Sequence, residues 1–187
     1  MNALLLKLHA QRAKLGLKGP RASQWLAAQG IALPMAPNSW TQSQENLAPG
    51  ASLVARLGAA EFFIEDGTSG TAVKRIAPAL DAHPPGVYPV LREDWAFQLE
   101  GSRVHDVLEQ VCNVNFADLT LDAHPLIMTL MIGVAVLVVP QRGSSERGQS
   151  AGRRYRIWCD PTFGPYLGES LGSVVNDCGG SYTGVSG

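Results

Sequence analysis

This sequence has few charged residues. Asp, Glu, Lys and Arg make up 17% of its 187 residues, against about 25% in an average soluble domain. The 15 basic residues nearly balance the 16 acidic ones, so the chain lacks the excess positive charge with which proteins bind nucleic acid. The hydrophobic fraction of 45% excludes disorder over most of the length. The composition predicts a globular protein whose sparsely charged surface leaves room for a covering partner.

Cysteines and long apolar runs are also scarce. The three cysteines, Cys112, Cys159 and Cys178, form no C-x-x-C pair, which argues against a disulfide framework or a cysteine-rich zinc site. The leucines at 4–6 are too few for the core of a signal peptide. The longest apolar run, 126–139, is shorter than the roughly 18 residues of a membrane helix and contains Gly133, so we interpret it as two strands joined by a turn. These features predict a cytoplasmic protein with no membrane segment.

Common motifs of catalysis and nucleotide binding are missing as well. The sequence contains no G-x-S-x-G, H-E-x-x-H, Walker A or G-x-G-x-x-G segment. None of its four histidines has a second His or Cys at chelating spacing, and His105 and Asp106, as adjacent helix positions, face different directions. Gly164, Gly168 and Gly172 recur at every fourth position, which we interpret as close packing of a helix and not as a phosphate site. We therefore predict no catalytic, cofactor-binding or metal-binding residue in this chain.

A weak internal repeat organises what is present. The segment LKGPRA at 17–22 recurs as LEGSRV at 99–104, and apolar residues at helical spacing follow both copies. Pro20 suits a first helical position and Ser102 suits an N-cap. An apolar stretch with a central glycine then follows in each copy, at 53–65 around Gly58 and at 126–139 around Gly133. The pattern predicts an α+β protein of two pseudo-repeated β-α-β-β units.

These units give the expected domain boundaries. We predict a first half at 1–83, a second half at 84–176 that packs with it as one unit, and a disordered or extended tail at 177–187. In the second half we predict strands at 95–99 and 155–158, a Gly/Ser-rich loop at 143–152, and a helix whose apolar face runs from Phe163 to Val175. The first half differs by a longer polar loop between helix and hairpin, 34–51, which carries Trp40.

Three segments carry a family resemblance. LGAAEFFIE at 57–65, LEGSRVHDVLEQVCNVNF at 99–116 and YRIWCDPTFGPYL at 155–167 resemble motifs of the gamma subunits of heterotetrameric sarcosine oxidases. The D subunit of N-methylglutamate dehydrogenase belongs to the same group. The chain departs from the pattern at Ser102, where proline is frequent, and at Pro161-Thr162 before Phe163. The resemblance covers most of 15–175 and implies a small relative of the folate-binding glycine-cleavage T-protein fold.

The resemblance also implies a function. In such complexes FAD, FMN, NAD, zinc and tetrahydrofolate are carried by the other subunits, and the gamma subunit has no assigned catalytic residue. We therefore predict a non-catalytic accessory subunit of a flavin-dependent complex that oxidatively demethylates a secondary or tertiary amine such as sarcosine. Its partners would be alpha, beta and delta subunits, mainly the large alpha subunit, and the chain alone would bind no cofactor.

Two other classes of protein stay open. One is a free-standing folate-binding or aminomethyltransferase-like protein, for which Glu61 and Asp94 are the nominated carboxylates; the other is a free-standing binding module. For the accessory subunit we nominate four interface residues, Trp40, Asn38, Phe163 and Tyr166. Trp40 lies in the polar loop, so we expect an exposed indole that packs against the largest subunit. The competing interpretation has Trp40 folding back onto its own domain.

Overall fold

The chain divides into two compact units. The structure is a computed structural model that describes residues 3–9, 12–42, 51–68, 71–143 and 152–184. The first unit comprises residues 12–93, and the second unit joins residues 1–11 to residues 94–187. The boundary thus falls between Glu93 and Asp94 and not after residue 83, and the N-terminal residues belong with the second half of the sequence.

The described residues form eleven strands and four α-helices. The strands are β1 (Leu5–Leu8), β2 (Lys14–Lys18), β3 (Ser39–Gln42), β4 (Leu53–Arg56), β5 (Glu61–Glu65), β6 (Tyr88–Val90), β7 (Trp95–Gly101), β8 (Ile127–Met131), β9 (Val134–Arg142), β10 (Arg153–Cys159) and β11 (Ser181–Thr183). The helices are α1 (Ala22–Ala28), α2 (Ala72–Asp81), α3 (Val104–Val111) and α4 (Gly164–Asp177). The predicted α+β class is confirmed.

The sequence repeat corresponds to one local structure that occurs twice. β2 leads through Gly19 into α1, and β7 ends at Gly101 and leads into α3. The φ angles of the two glycines are 130° and 133°, a region that residues with a side chain rarely adopt, which explains glycine in both copies. The residue that precedes each helix is an arginine, and neither start has a side-chain capping bond. Ser102 is therefore not the N-cap that we predicted.

The two sheets have the same strand order. The first unit has the order β3-β4-β5-β2-β6, and the second, taken from its β8 edge, has β8-β9-β10-β7-β1 with β11 added beyond β1. The β8–β9 hairpin around Gly133 therefore corresponds to β3–β4 and not to the β4–β5 hairpin around Gly58. Our pairing of the two hairpins was wrong, because a glycine turn between apolar strands is a local pattern common to many hairpins.

Each unit takes one strand from the chain that precedes the other unit. β1 directly precedes β2 in the sequence but pairs antiparallel with β7, Leu6 opposite Leu99. β6 directly precedes β7 but pairs antiparallel with β2, Leu17 opposite Pro89. This exchange explains why the boundary lies later than predicted and why the N-terminus belongs to the second unit.

Helices cover one face of each sheet. In the first unit the core consists of Leu17, Val54, Phe62 and Ile64 of the sheet packed against apolar side chains of α1 and α2, including Leu26, Ile76 and Leu80. In the second unit Leu6, Phe97, Leu99, Val138 and Ile157 pack against α3 and α4, including Leu108, Leu167 and Leu171. No helix within the described ranges is both long and apolar enough to cross a membrane.

The C-terminal segment, predicted to be disordered or extended, contains an extended strand. Cys178 belongs to the second core, and β11 pairs in parallel with β1, Tyr182 opposite Leu6. The pairing gives this apolar-poor segment a partner that its own composition does not reveal. All three cysteines are free and buried. Most of the predicted Gly/Ser loop at 143–152, and residues 43–50 of the predicted polar loop, lie outside the described residues.

Candidate interaction surface

The β8–β9 hairpin presents apolar side chains to solvent. Ile127 and Met131 face the core of the second unit, and the alternation of the strand turns Met128 and Leu130 to the other face. Met128 is 56% exposed and Leu130 is 59% exposed. They lie opposite Leu137 and Ala135 of β9, so this end of the sheet carries a continuous apolar face with no charge. We name Met128, Leu130, Ala135 and Leu137 the hairpin patch.

A second exposed apolar pair lies at the start of α4. Phe163 is 50% exposed and Tyr166 is 51% exposed, whereas Leu167, Leu171 and Val175 of the same helix are buried. The prediction of one apolar face was therefore right for the later residues only. The Tyr166 hydroxyl donates a 3.4 Å hydrogen bond to the carbonyl of Ile132, in the turn of the hairpin. The Tyr166 ring thus lies beside that turn.

The turn is held by the helices. Ile132 and Gly133 both have positive φ angles, 49° and 79°, the conformation of a type I′ hairpin turn. A β-branched residue is unfavourable at such an angle, so its surroundings must hold Ile132 there. Its N–H donates to the carbonyl of Val111 at 3.0 Å, and its carbonyl accepts from Tyr166. The hairpin is thus fixed to the end of α3 and the beginning of α4.

The glycines of α4 explain how that helix approaches its sheet. A Cβ atom at Gly164 would overlap the Trp95 ring, one at Gly168 would lie 3.0 Å from Phe97, and one at Gly172 would lie 2.7 Å from Tyr182. The interpretation of this spacing as close helix packing is confirmed. The same packing fixes the position of Tyr166 on the surface.

Trp40 and Asn38 lie in the first unit. Trp40 belongs to β3, opposite Ala55, and is only 9% exposed. The exposed indole that we expected is therefore absent, because the predicted loop contains a strand that places the ring inside the molecule. Asn38 precedes that strand with a φ of 56°, and its N–H donates to the carbonyl of Arg56 at 2.8 Å. The role of both residues at an interface stays a prediction.

The two nominated carboxylates are not gathered in one unit. Glu61 begins β5 in the first unit and forms a 3.4 Å ion pair with Arg92. Asp94 belongs to the second unit, near Cys159. Burial, with smaller contributions from Asp94 and Asp160, raises the pKa of the Cys159 thiol to about 11. That thiol therefore stays protonated and is a poor nucleophile at neutral pH.

Polar side chains missed by the sequence analysis line the face of the second sheet opposite its helices. Glu100 of β7 pairs with Lys7 of β1 at 3.1 Å and with Arg154 of β10 at 3.0 Å. Burial disfavours its ionised form, but the hydrogen bonds and charges of both cations outweigh burial and lower the pKa of Glu100. The three residues come from strands far apart in the sequence, so no local motif could reveal them. The contacts fix the register of β1, β7 and β10.

A histidine–tyrosine pair lies on the helix side of the same sheet. His105 Nε2 lies 2.8 Å from the hydroxyl of Tyr155, which is fully buried, and Phe116 packs edge-on against the Tyr155 ring. Partial burial and the nearby Arg153 guanidinium lower the pKa of His105. Among the described residues, no group of three or more His, Cys, Asp or Glu side chains could hold a metal ion.

The fold matches solved structures. A chain of the heterotetrameric sarcosine oxidase from Corynebacterium sp. U-96, in complex with pyrrole 2-carboxylate, superposes with a TM-score of 0.66 and 22% identity over 92% of this chain and 83% of that one. The glycine cleavage system aminomethyltransferase T from Bartonella henselae superposes with a TM-score of 0.66 and 16% identity over 97% of this chain. The match spans about half, 48%, of the aminomethyltransferase.

No protein-family model and no curated protein sequence matches this chain. The identities to the two solved structures are low, so the likeness concerns the fold. The chain has the T-protein-like fold that these structures share, as the sequence resemblance implied. One of the two similar structures comes from a multi-subunit oxidase and the other from an aminomethyltransferase.

Proposed function

We propose that this chain is a non-catalytic, gamma-type accessory subunit of a flavin-dependent complex that resembles heterotetrameric sarcosine oxidase. The complex would oxidatively demethylate a secondary or tertiary amine in the cytoplasm. FAD, FMN, NAD, zinc and tetrahydrofolate would be held by its alpha, beta and delta subunits. The observation that carries the proposal is the match to a sarcosine oxidase chain over 92% of this chain and 83% of that one.

The distribution of exposed apolar side chains also supports a subunit role. Soluble proteins that act alone rarely group such residues, whereas contact surfaces do. Phe163 and Tyr166 lie together at the start of α4, and the Tyr166 hydroxyl bonds to the hairpin turn. Both rings are held by regular elements and would lose little side-chain freedom on docking. We place the contact with the large alpha subunit at these two rings.

Co-purification tests the proposal. The tagged chain is expressed together with the flavoprotein subunits encoded by the same organism and purified by affinity. We expect a stoichiometric complex that shows a flavin absorbance spectrum and oxidises sarcosine or a related N-methyl amine. Recovery of the tagged chain alone, with the flavoprotein left in the unbound fraction, would contradict an accessory role.

Matched tyrosine variants locate the contact. Tyr166 and Tyr88 have similar exposure, 51% and 56%, but belong to different units. Tyr166→Ser should reduce recovery of the complex about tenfold or more, as expected for an aromatic hot spot, whereas Tyr88→Ser should leave it unchanged. Equal recovery with both variants would show that the α4 surface is not the contact.

The alternative function has an observation of its own. The aminomethyltransferase match covers 97% of this chain, which favours a free-standing folate-binding or aminomethyltransferase-like protein. Titration of the isolated chain with tetrahydrofolate, followed by calorimetry, tests this alternative. Stoichiometric binding that Glu61→Gln or Asp94→Asn weakens would favour it over the accessory subunit.

A further inference from the structure

β8 is the least protected strand edge in the described structure. It ends the second sheet, and its sequence IMTLM contains no charge and no proline. The other edges are shorter: β11 and β6 have three residues each, with Pro89 within β6, and β3 has four residues. Proteins normally block a long apolar edge with charges, prolines or bulges, because its free backbone groups can pair with another strand. β8 has none of these blocking features, which suggests that another strand pairs with it.

The hairpin geometry shows which backbone groups point outward. A two-residue turn closes on a hydrogen-bonded pair, here Met131 and Val134, and hydrogen-bonded pairs alternate along an antiparallel ladder. The backbone groups of Ile127, Thr129 and Met131 therefore face β9. Those of Met128 and Leu130 face the open edge, and their side chains are the exposed members of the hairpin patch.

These features make β8 complementary to itself. If two antiparallel copies of β8 meet about a two-fold axis at Thr129, Met128 of each copy lies opposite Leu130 of the other. Both of these pairs then have outward-facing backbone groups and form hydrogen-bonded pairs. The side chains that meet are apolar, and no like charges oppose each other across the contact. On the other face, Ile127 would lie opposite Met131, so apolar residues meet on both faces.

From this we infer that a second copy of this chain pairs with β8 and joins two second units through one continuous sheet. Two-fold pairing uses the same patch on both copies, the commonest arrangement of soluble dimers. Residues Ala135 and Leu137, next to β8 on β9, widen the apolar contact beyond the strand. The inference goes beyond the proposed function and concerns the isolated chain, so it holds or fails independently of the oxidase-like complex.

Sedimentation velocity of the full chain over a range of concentrations tests the inference. We expect a dimer whose dissociation constant rises about tenfold or more in Leu130→Lys, because a lysine opposite Met128 interrupts the apolar contact. The control Leu91→Lys changes an exposed leucine of the first unit and should leave the constant unchanged. Circular dichroism confirms that each variant is folded. A wild-type chain that is monomeric at every concentration would overturn the inference.

A charge-swap pair tests the register. In Met128→Lys/Leu130→Lys, lysines face lysines across the two-fold axis, so this variant should be monomeric. In Met128→Lys/Leu130→Glu, each lysine faces a glutamate, so the dimer should return. Equal behaviour of the two double variants would refute the Thr129-centred pairing. If the wild-type chain is monomeric but binds a different protein, and Leu130→Lys abolishes that binding, then the edge serves that protein. This result would likewise refute the inference.

Discussion

The two edge strands β3 and β8 occupy the same position in sheets of the same order, yet their outer faces differ. On β3 this face carries Trp40, which is buried, and on β8 it carries Met128 and Leu130, which are exposed. The local repeat and the strand order are shared, so the fold alone does not decide whether the side chains on this face of an edge strand are buried or exposed.

The largest difference in stability is expected when one side chain on each of the two edge strands is replaced by alanine. Trp40→Ala removes a buried ring and should cost about 3–5 kcal/mol of unfolding free energy in the isolated chain. Leu130→Ala removes exposed surface and should change it by about 0.5 kcal/mol or less. Urea denaturation of both variants, made at a concentration where the chain is monomeric, measures the contrast. Similar losses would mean that the two edges do not differ as described.

The second test changes the glycine with positive φ that precedes the first helix of each unit, Gly19 or Gly101. Gly101→Ala places a Cβ atom 2.5 Å from the carbonyl oxygen of Ala3, at a φ of 133°, and should cost on the order of 3 kcal/mol. Gly19→Ala should cost a similar amount, since its Cβ would overlap the carbonyl oxygen of Gly86. Gly133→Ala has open space around it and should lose only about 1 kcal/mol. Thermal denaturation ranks the three.

A third test uses the side chain of His105, which titrates and has no titratable counterpart at the same position of the repeat in the first unit. His105 corresponds in the repeat to Ser23, which does not titrate. The pKa of His105 is lowered in the folded chain, chiefly by burial and also by Arg153, so the unfolded chain binds a proton more readily. Stability should therefore fall as the pH drops from about 6.5, the unfolded value, through the lower folded value. The fall in the urea midpoint should be smaller in His105→Gln. Identical pH profiles would contradict this assignment.

The smallest effect on stability is expected at the α4 surface. Phe163→Ser removes a half-exposed ring and should change the unfolding free energy by about 0.5 kcal/mol or less, whereas Tyr166→Ser also removes the hydrogen bond to Ile132 and should cost about 1 kcal/mol. If recovery of the proposed complex falls in the same variants, the residues serve contact and not folding. A melting temperature lowered by several degrees would instead assign them to the stability of their own unit.

Local patterns predicted the parts of the fold that local physics determines. The segments around Gly19 and Gly101, with a strand before and a helix after, follow from apolar spacing and a glycine that tolerates positive φ, and the structure confirms both. The Gly133 hairpin was predicted for the same reason. β1 and β11 were missed because each needs a partner strand from a distant part of the sequence. A run of leucines at 4–6 carries no alternation from which a strand could be predicted.

The candidate surface was only partly predictable. Phe163 and Tyr166 were nominated and are exposed. The exposure of Met128 and Leu130 was not predicted, because a continuous apolar run does not indicate which face of the strand is covered. Trp40 was misplaced because polar neighbours conceal the short strand β3. The contact of Lys7 with Glu100 depends on the β1–β7 pairing and that of Arg154 with Glu100 on the β7–β10 pairing, so neither could be predicted from local patterns.

The exchange of β1 and β6 affects how the chain folds while it is being synthesised. The strands of the first unit are all contained in 14–90, so this unit can close while the rest of the chain is still on the ribosome. β1 leaves the ribosome before any of them, yet its partners β7 and β11 are among the later strands to be synthesised. β1 must therefore wait, unpaired, until its partner β7 has been translated, past the middle of the chain. Chains truncated after residue 93 and released from the ribosome should hold a closed first unit and a protease-sensitive N-terminus.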